Sequence, residues 1–221
     1  MATQENLFVD FTPDYDALTP HIIPGYEAMQ AAVMACVASA RSPKSFLDIG
    51  CGTGNTLVRI RSAYPQATLR GVDGSSVMLG KAKAKLAKAQ WVEADIREAD
   101  LGAQADVAVS VAALNNIETR FLAPIYQKTY TALAEDGLFV QADFIAHESP
   151  VVQQQLDVLY ASHVRAGIQD EAFLAHWFDA YKNAFYPATL SQHFALLAEA
   201  GFKEITLHWL FESRAVFSAR K

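Results

Sequence analysis

The segment Phe46-Leu47-Asp48-Ile49-Gly50-Cys51-Gly52-Thr53-Gly54-Asn55 joins an apolar run to three alternating glycines, with one carboxylate just ahead of them. A short apolar run of this kind reads as a strand buried on both faces. Glycines at alternate positions let the chain turn sharply out of it and lay bare backbone against a ligand. The segment therefore commits the chain to a strand, loop and helix with a ligand cleft at the strand's carboxyl end. The acid narrows the choice of ligand. A pyrophosphate favours helix N-terminal amides with no carboxylate beside them, and the dinucleotide fingerprint asks for glycine where Asn55 stands. Asp48 instead suits a cationic ligand, by Coulomb attraction in a partly desolvated cleft.

Two more acids close the next two apolar runs. Asp73 ends Leu69-Arg70-Gly71-Val72, about twenty residues past the glycines, where a carboxylate can accept both hydroxyls of a ribose. Asp95 ends Trp91-Val92-Glu93-Ala94 and can accept a hydrogen bond from an adenine amino group. Local explanations stand beside these: Asp48 or Asp95 as a loop cap, and Gly74 as a helix entry.

Strands are expected at 45–49, 68–72, 90–94, 105–111, 138–144, 204–210 and 214–219. Helices are expected at 26–40, 55–64, 75–88 and 119–133, with a last helix ahead of the closing strands. This alternation predicts an α/β, Rossmann-like, seven-stranded and mostly parallel sheet with helices on both faces. Between 149 and 183 the alternation breaks into one or two helices, read as a helical lid. The expected organisation is a single domain over 1–221. An N-terminal flap and helix (1–44) precede a cofactor-binding core (45–148), a lid insertion (149–186), and a C-terminal helix with closing strands (187–221). Phe173, Trp177, Tyr181 and Phe185 recur every four residues, a face that packs as core or interface, or walls a planar substrate. Phe8, Phe11 and Tyr15 leave a similar choice between a staple for the first helix and a flap over the cofactor.

The acid-and-glycine loop, the ribose acid and the adenine acid, in this order, resemble the class I S-adenosylmethionine (SAM)-dependent methyltransferase family. The likeness covers roughly residues 45–145 and resumes at Leu196-Leu197-Ala198-Glu199-Ala200-Gly201-Phe202. The resemblance implies SAM as cofactor and S-adenosyl-L-homocysteine (SAH) as product. It carries cofactor contacts onto Asp48, Gly50, Cys51, Gly52, Gly54, Asp73, Gly74, Asp95, Ile96 and Ser110. The turn Ile22-Ile23-Pro24-Gly25-Tyr26 is also similar to the branch containing carboxy-SAM synthases of tRNA wobble-uridine modification, which adds Tyr26 as a contact. Cys51-Gly52-Thr53-Gly54, however, is the ordinary methyltransferase loop and not that branch's altered one.

The expected reaction is methyl transfer to an oxygen or nitrogen of a small-molecule acceptor, by in-line displacement at the sulfonium. Enzymes making or using a carboxylated SAM, and a noncatalytic SAM-binding protein, remain alternatives. If the acceptor must lose a proton, a general base is needed, and His147, beside Glu148 after the fifth strand, is the candidate. Asn115, with Asn116 beside it after the fourth strand, Trp177 and Tyr181 are the candidate substrate contacts. No Asn-Pro-Pro-Tyr or Asp-Pro-Pro-Tyr run follows the fourth strand, which disfavours amino methylation of nucleic-acid bases, and no metal site is expected.

A net charge of −6 argues against general affinity for nucleic acid or anionic membrane. Lys81, Lys85 and Lys88 share one helical face and read as a solvated surface. Two unpatterned cysteines, Cys36 and Cys51, and a polar start at Met1-Ala2-Thr3-Gln4 lead to the expectation of a cytoplasmic protein. Its partner is expected to be a small-molecule substrate, and the aromatic stripe makes a homodimer possible.

Overall fold

The computed structural model describes residues 15–221. Phe8 and Phe11 therefore lie outside the described residues. Seven strands form one sheet: β1 (Ser45–Ile49), β2 (Thr68–Asp73), β3 (Gln90–Glu93), β4 (Ala105–Val111), β5 (Leu133–Phe144), β6 (Lys203–Phe211) and β7 (Arg214–Arg220). Their order is β3-β2-β1-β4-β5-β7-β6, with β7 antiparallel to both neighbours and all other pairings parallel. The predicted mixed α/β sheet is what the chain builds.

Before the sheet lie α1 (Tyr15–Ile22) and α2 (Tyr26–Ala38). The crossover helices are α3 (Asn55–Ala63), α4 (Ser76–Lys85) and α5 (Leu122–Ala132). Ser75 caps α4, its Oγ accepting from the Met78 amide, as a serine ahead of a helix does. The expected helix over 119–133 is split: Thr119–Phe121 forms a 3-10 turn, and α5 begins at Leu122. β5 starts earlier than the apolar run suggested. Leu133 pairs with Ala105, and pairing resumes at Leu138 opposite Val107, so the intervening residues bulge around Asp136 and Gly137.

Successive strand residues face opposite sides of the sheet. Phe46, Val107 and Val109 pack with Met29, Val33, Leu57 and Ile60 on one face, whereas Leu47, Ile49 and Ala108 pack with Ile125, Tyr126 and Leu197 on the other. The parallel strands diverge at β1 and β4, whose crossovers leave on opposite sides, and the crevice outside their carboxyl ends is the ligand position such sheets provide.

The predicted lid is two helices, α6 (Pro150–Gly167) and α7 (Glu171–Ala184), the latter capped by Asp170. α6 supports α1: the Tyr160 hydroxyl donates to the Ile22 carbonyl at 3.1 Å, and His163 Nε2 lies 3.2 Å from the Pro20 carbonyl. α8 (Leu190–Glu199) opens with a reciprocal capping box between Thr189 and Gln192. Among the described residues no helix is long and apolar enough to cross a membrane.

Candidate active site

A cavity of about 590 Å³ opens at the carboxyl ends of β1, β2 and β4 and is roofed by α1 and the start of α2. That volume suits a nucleoside-sized ligand together with part of a small partner. Gly50, Cys51, Gly52, Asp73, Gly74, Asp95 and Ile96 all line it, and Tyr26 joins them from α2. Eight of the eleven candidate cofactor contacts therefore meet at one cleft.

The glycine loop is built by sterics. Gly50 has φ +73°, and a Cβ there would lie 2.4 Å from the Ala113 side chain, so no other residue fits. Gly52 also has positive φ, but open space lies where its Cβ would be. The loop is then tied to β2. Asp73 Oδ2 accepts from the Gly52 amide and Oδ1 from the Ser75 amide, each at 2.8 Å. Burial pushes the Asp73 carboxyl above its ordinary value, against the pull of these two amides. Each carboxylate oxygen has a further lone pair to offer the cavity.

Asp95 meets Arg97, a residue the sequence reading passed over. Arg97 Nε donates to both Asp95 oxygens at 2.9 Å and its amide to Oδ1 at 2.8 Å, holding the carboxyl below the usual range. Arg97 lines the cavity as well. Its guanidinium carbon sits 5.4 Å from the Phe121 ring centroid, so an arginine two residues past the acid was the available signal.

Asp48, Gly54 and Ser110 are not in the cavity wall. Asp48 is buried beneath the loop, and burial first, then the charge of Asp73, raises its pKa to about 8. Gly54 faces inward, where a Cβ would crowd Trp91 and Ala82. The Ser110 hydroxyl donates to the Ile49 carbonyl at 2.8 Å and joins β4 to β1. These three shape the loop from behind.

The candidate substrate and base residues are placed elsewhere. His147 is exposed, with Nδ1 accepting from the Ser149 amide at 3.0 Å, while Glu148 hydrogen-bonds Ser191. The base and orienter therefore face the start of α6 and α8, away from the cleft. Asn115 is buried in a 3-10 turn, because Asp143 Oδ2 accepts its amide at 3.1 Å, and the neighbouring Asn116 reaches the cavity in its place. Trp177 is buried and donates to the Tyr160 hydroxyl at 3.0 Å, and Tyr181 lies against Tyr160 at 4.5 Å between ring centroids. The aromatic stripe of α7 is thus interior packing between lid and sheet.

The roof was only partly anticipated. Tyr15 lines the cavity, as the flap alternative requires. Asp16 Oδ1 accepts from Thr53 Oγ1 at 2.6 Å and Asn55 Nδ2 at 2.9 Å, and its other oxygen pairs with Lys85. This latch holds α1 to the glycine loop. Gln30 bridges Tyr26 and Thr56 from inside, at 3.1 and 3.2 Å.

A seven-stranded sheet with its last strand reversed, a glycine loop after β1 and acids after β2 and β3 make up a known fold. Residues 46–137 match the family model of the methyltransferase domain, and the fold is that of class I SAM-dependent methyltransferases. Carboxy-SAM synthase from Campylobacter concisus is 29% identical over 91% of this chain and 89% of its own length. The same-named protein from Nautilia profundicola is 27% identical over 79% of this chain and 76% of its own. Among solved structures, phosphoethanolamine N-methyltransferase 2 from Haemonchus contortus, in complex with phosphomonomethylethanolamine and SAH, superposes with a TM-score of 0.72 at 14% identity. It matches all of this chain, which spans about 60% of that one. The cyclopropane synthase MmaA2 from Mycobacterium tuberculosis has a TM-score of 0.60 at 17% identity over 83% of this chain and 63% of its own. These two likenesses describe the fold.

Proposed function

We propose that the chain transfers a methyl group from SAM to an oxygen or nitrogen of a small-molecule acceptor. The observation that carries this reading is the continuity of the cavity: the glycine loop, Asp73 and Asp95 share one space with Tyr15, Tyr26, Ala112, Asn116 and Ile117. One wall suits a nucleoside, and the other leaves room for a second molecule. The donor set fits SAM. Asp73 offers lone pairs to the ribose hydroxyls, Asp95 and Ile96 flank an adenine, and Gly52 presents bare backbone.

SAM would supply a methyl group on a sulfonium that is already a good leaving group. The protein's own contribution is then orientation and exclusion of water. The Asp16 latch keeps α1 closed, Tyr15 and Tyr26 cover the cleft, and Asn116 can hold an acceptor by its amide. Titration calorimetry with SAM and SAH tests the cofactor assignment, and absence of binding removes it. An acceptor screen read as SAH formation tests the transfer.

A second reading, that the chain makes or uses a carboxylated SAM, is favoured by the names of the curated relatives. Against it stands the loop Gly52-Thr53-Gly54. In addition, Arg97 is the one cationic side chain among the described cavity residues, and Asp95 already engages it. Mass spectrometry of ligand retained from the cell decides between them: a carboxylated mass supports the second reading, and SAM or SAH alone supports the first.

A further inference from the structure

Arg214 opens β7 opposite Phe144, the last residue of β5, on the face of the sheet covered by the lid helices. Its side chain is 0% exposed, yet among the described residues only Glu212 pairs with it, through Nη2. Nε and Nη1, which carry three of the five guanidinium N–H donors, meet no acceptor among the described residues. The surroundings are aromatic. The guanidinium carbon lies 5.6 Å from the ring centroids of both Phe144 and Phe211, and the Tyr160 and Tyr181 phenols are within electrostatic reach.

Rings can partly offset a buried cation through their faces, but they offer nothing to its in-plane N–H groups. A buried ion pair with unmet donors is a poor stabilising device, since an apolar side chain of similar size packs at least as well. A guanidinium with three unmet N–H donors in a desolvated aromatic pocket is instead well suited to bind a carboxylate, by charge-assisted hydrogen bonds. Tyr160 lies between this place and the cavity: its ring stands 5.7 Å from Phe144, and its hydroxyl donates to the carbonyl of Ile22, next to the cavity residue Ile23.

We propose that Arg214 is a specificity residue that receives the carboxylate of an aromatic acid serving as acceptor, with Phe144 and Tyr160 walling its ring. The carboxylate reaches Arg214 when α6 and α7 shift away from the sheet, and Glu212 is the internal anion it competes with. The inference rests on the proposed function, in which an acceptor enters beside the cofactor.

The test is calorimetric titration of the SAH-saturated protein with benzoate, phenylacetate and 3-phenylpropionate, each against its neutral amide. SAH binding is measured first and alone, so loss of the cofactor reading shows there and not in the acid titrations. At least one acid is expected to bind tenfold or more tighter than its amide. Arg214→Met abolishes that preference while the Kd for SAH is unchanged, and Arg214→Lys retains part of it. Glu212→Gln, at a partly exposed position, strengthens binding of the acid several-fold and keeps the test open should Arg214→Met fold poorly. No preference for any acid over its amide, or a preference that survives Arg214→Met, or no gain from Glu212→Gln, overturns the proposal.

Discussion

Asp73 Oδ2 accepts the Gly52 amide at 2.8 Å, so the acid that ends β2 also sets the curvature of the loop that ends β1. Loop and acid therefore act as one unit. Asp73→Ala removes both this bond and the one to Ser75 at 2.8 Å, along with the lone pairs offered to the cavity. Hydrogen bonds to a charged group contribute on the order of 1.5–3 kcal/mol, so SAH affinity is expected to fall roughly ten- to hundredfold. Calorimetry measures it. Unchanged affinity would place the nucleoside elsewhere.

Asp16 fastens α1 across the glycine loop through Thr53, Asn55 and Lys85. Burial pushes its carboxyl upward, but Lys85, Thr53 and Asn55 outweigh burial and hold it below the ordinary value. A depressed carboxylate contributes stability above its unfolded pKa and loses it only as pH falls through the folded one, so the latch stays shut into the acid range. Asp16→Ala is expected to weaken SAH binding about three- to tenfold, the range of one or two ordinary hydrogen bonds. The loss should appear as faster dissociation in stopped-flow fluorescence. An unaltered dissociation rate would show that α1 does not gate the cleft.

The acids and glycines were legible in the sequence because strand period and loop sterics constrain them locally. A Gly50 that must avoid Ala113, or an Asp73 directly after an apolar run, leaves a short-range trace. Long-range choices leave none. Whether Asn115 or Asn116 faces the cavity depends on Asp143 capturing the Asn115 amide from a strand 28 residues away. Whether Trp177 lines a site or fills a core depends on Tyr160, 17 residues back on another helix. The Asp16 latch has the same character, since 37 residues separate Asp16 from Thr53. The sheet was readable for the opposite reason: every strand carried its own β-branched or apolar run.

His147 is expected to be dispensable. Its amide donates to Gln153 Oε1 at 2.8 Å and its ring receives the Ser149 amide, both at the start of α6 and outside the cavity. His147→Ala should leave kcat/KM within about twofold, the effect of a surface substitution away from the site. Asn116→Ala should instead raise KM for the acceptor without changing SAH affinity. Both are read as SAH formation with whichever acceptor the screen identifies. A large loss of kcat in His147→Ala would restore it as a base and require the lid to rearrange.

Asp48 supplies the sharpest pH dependence. Burial, aided by the neighbouring charge of Asp73, sets its pKa at about 8, so near neutrality the carboxyl holds its proton. A carboxyl raised in the native state is released first by the unfolded chain, so native stability declines as pH climbs from the ordinary carboxylate range to about 8. Asp48→Asn keeps the shape without the charge and should flatten that slope in urea unfolding between pH 5 and 8. Cofactor binding adds a second readout. An ammonium or sulfonium brought above the loop favours the ionised carboxyl, so SAM binding at pH 7 should release a fraction of a proton, and affinity should rise toward pH 8. Calorimetry in two buffers of different ionisation enthalpy counts that proton, and Asp48→Asn should abolish it. Equal proton release in wild type and variant would mean that Asp48 stays protonated behind the loop, and that the cofactor's positive charge is met by the backbone and Asp73 alone.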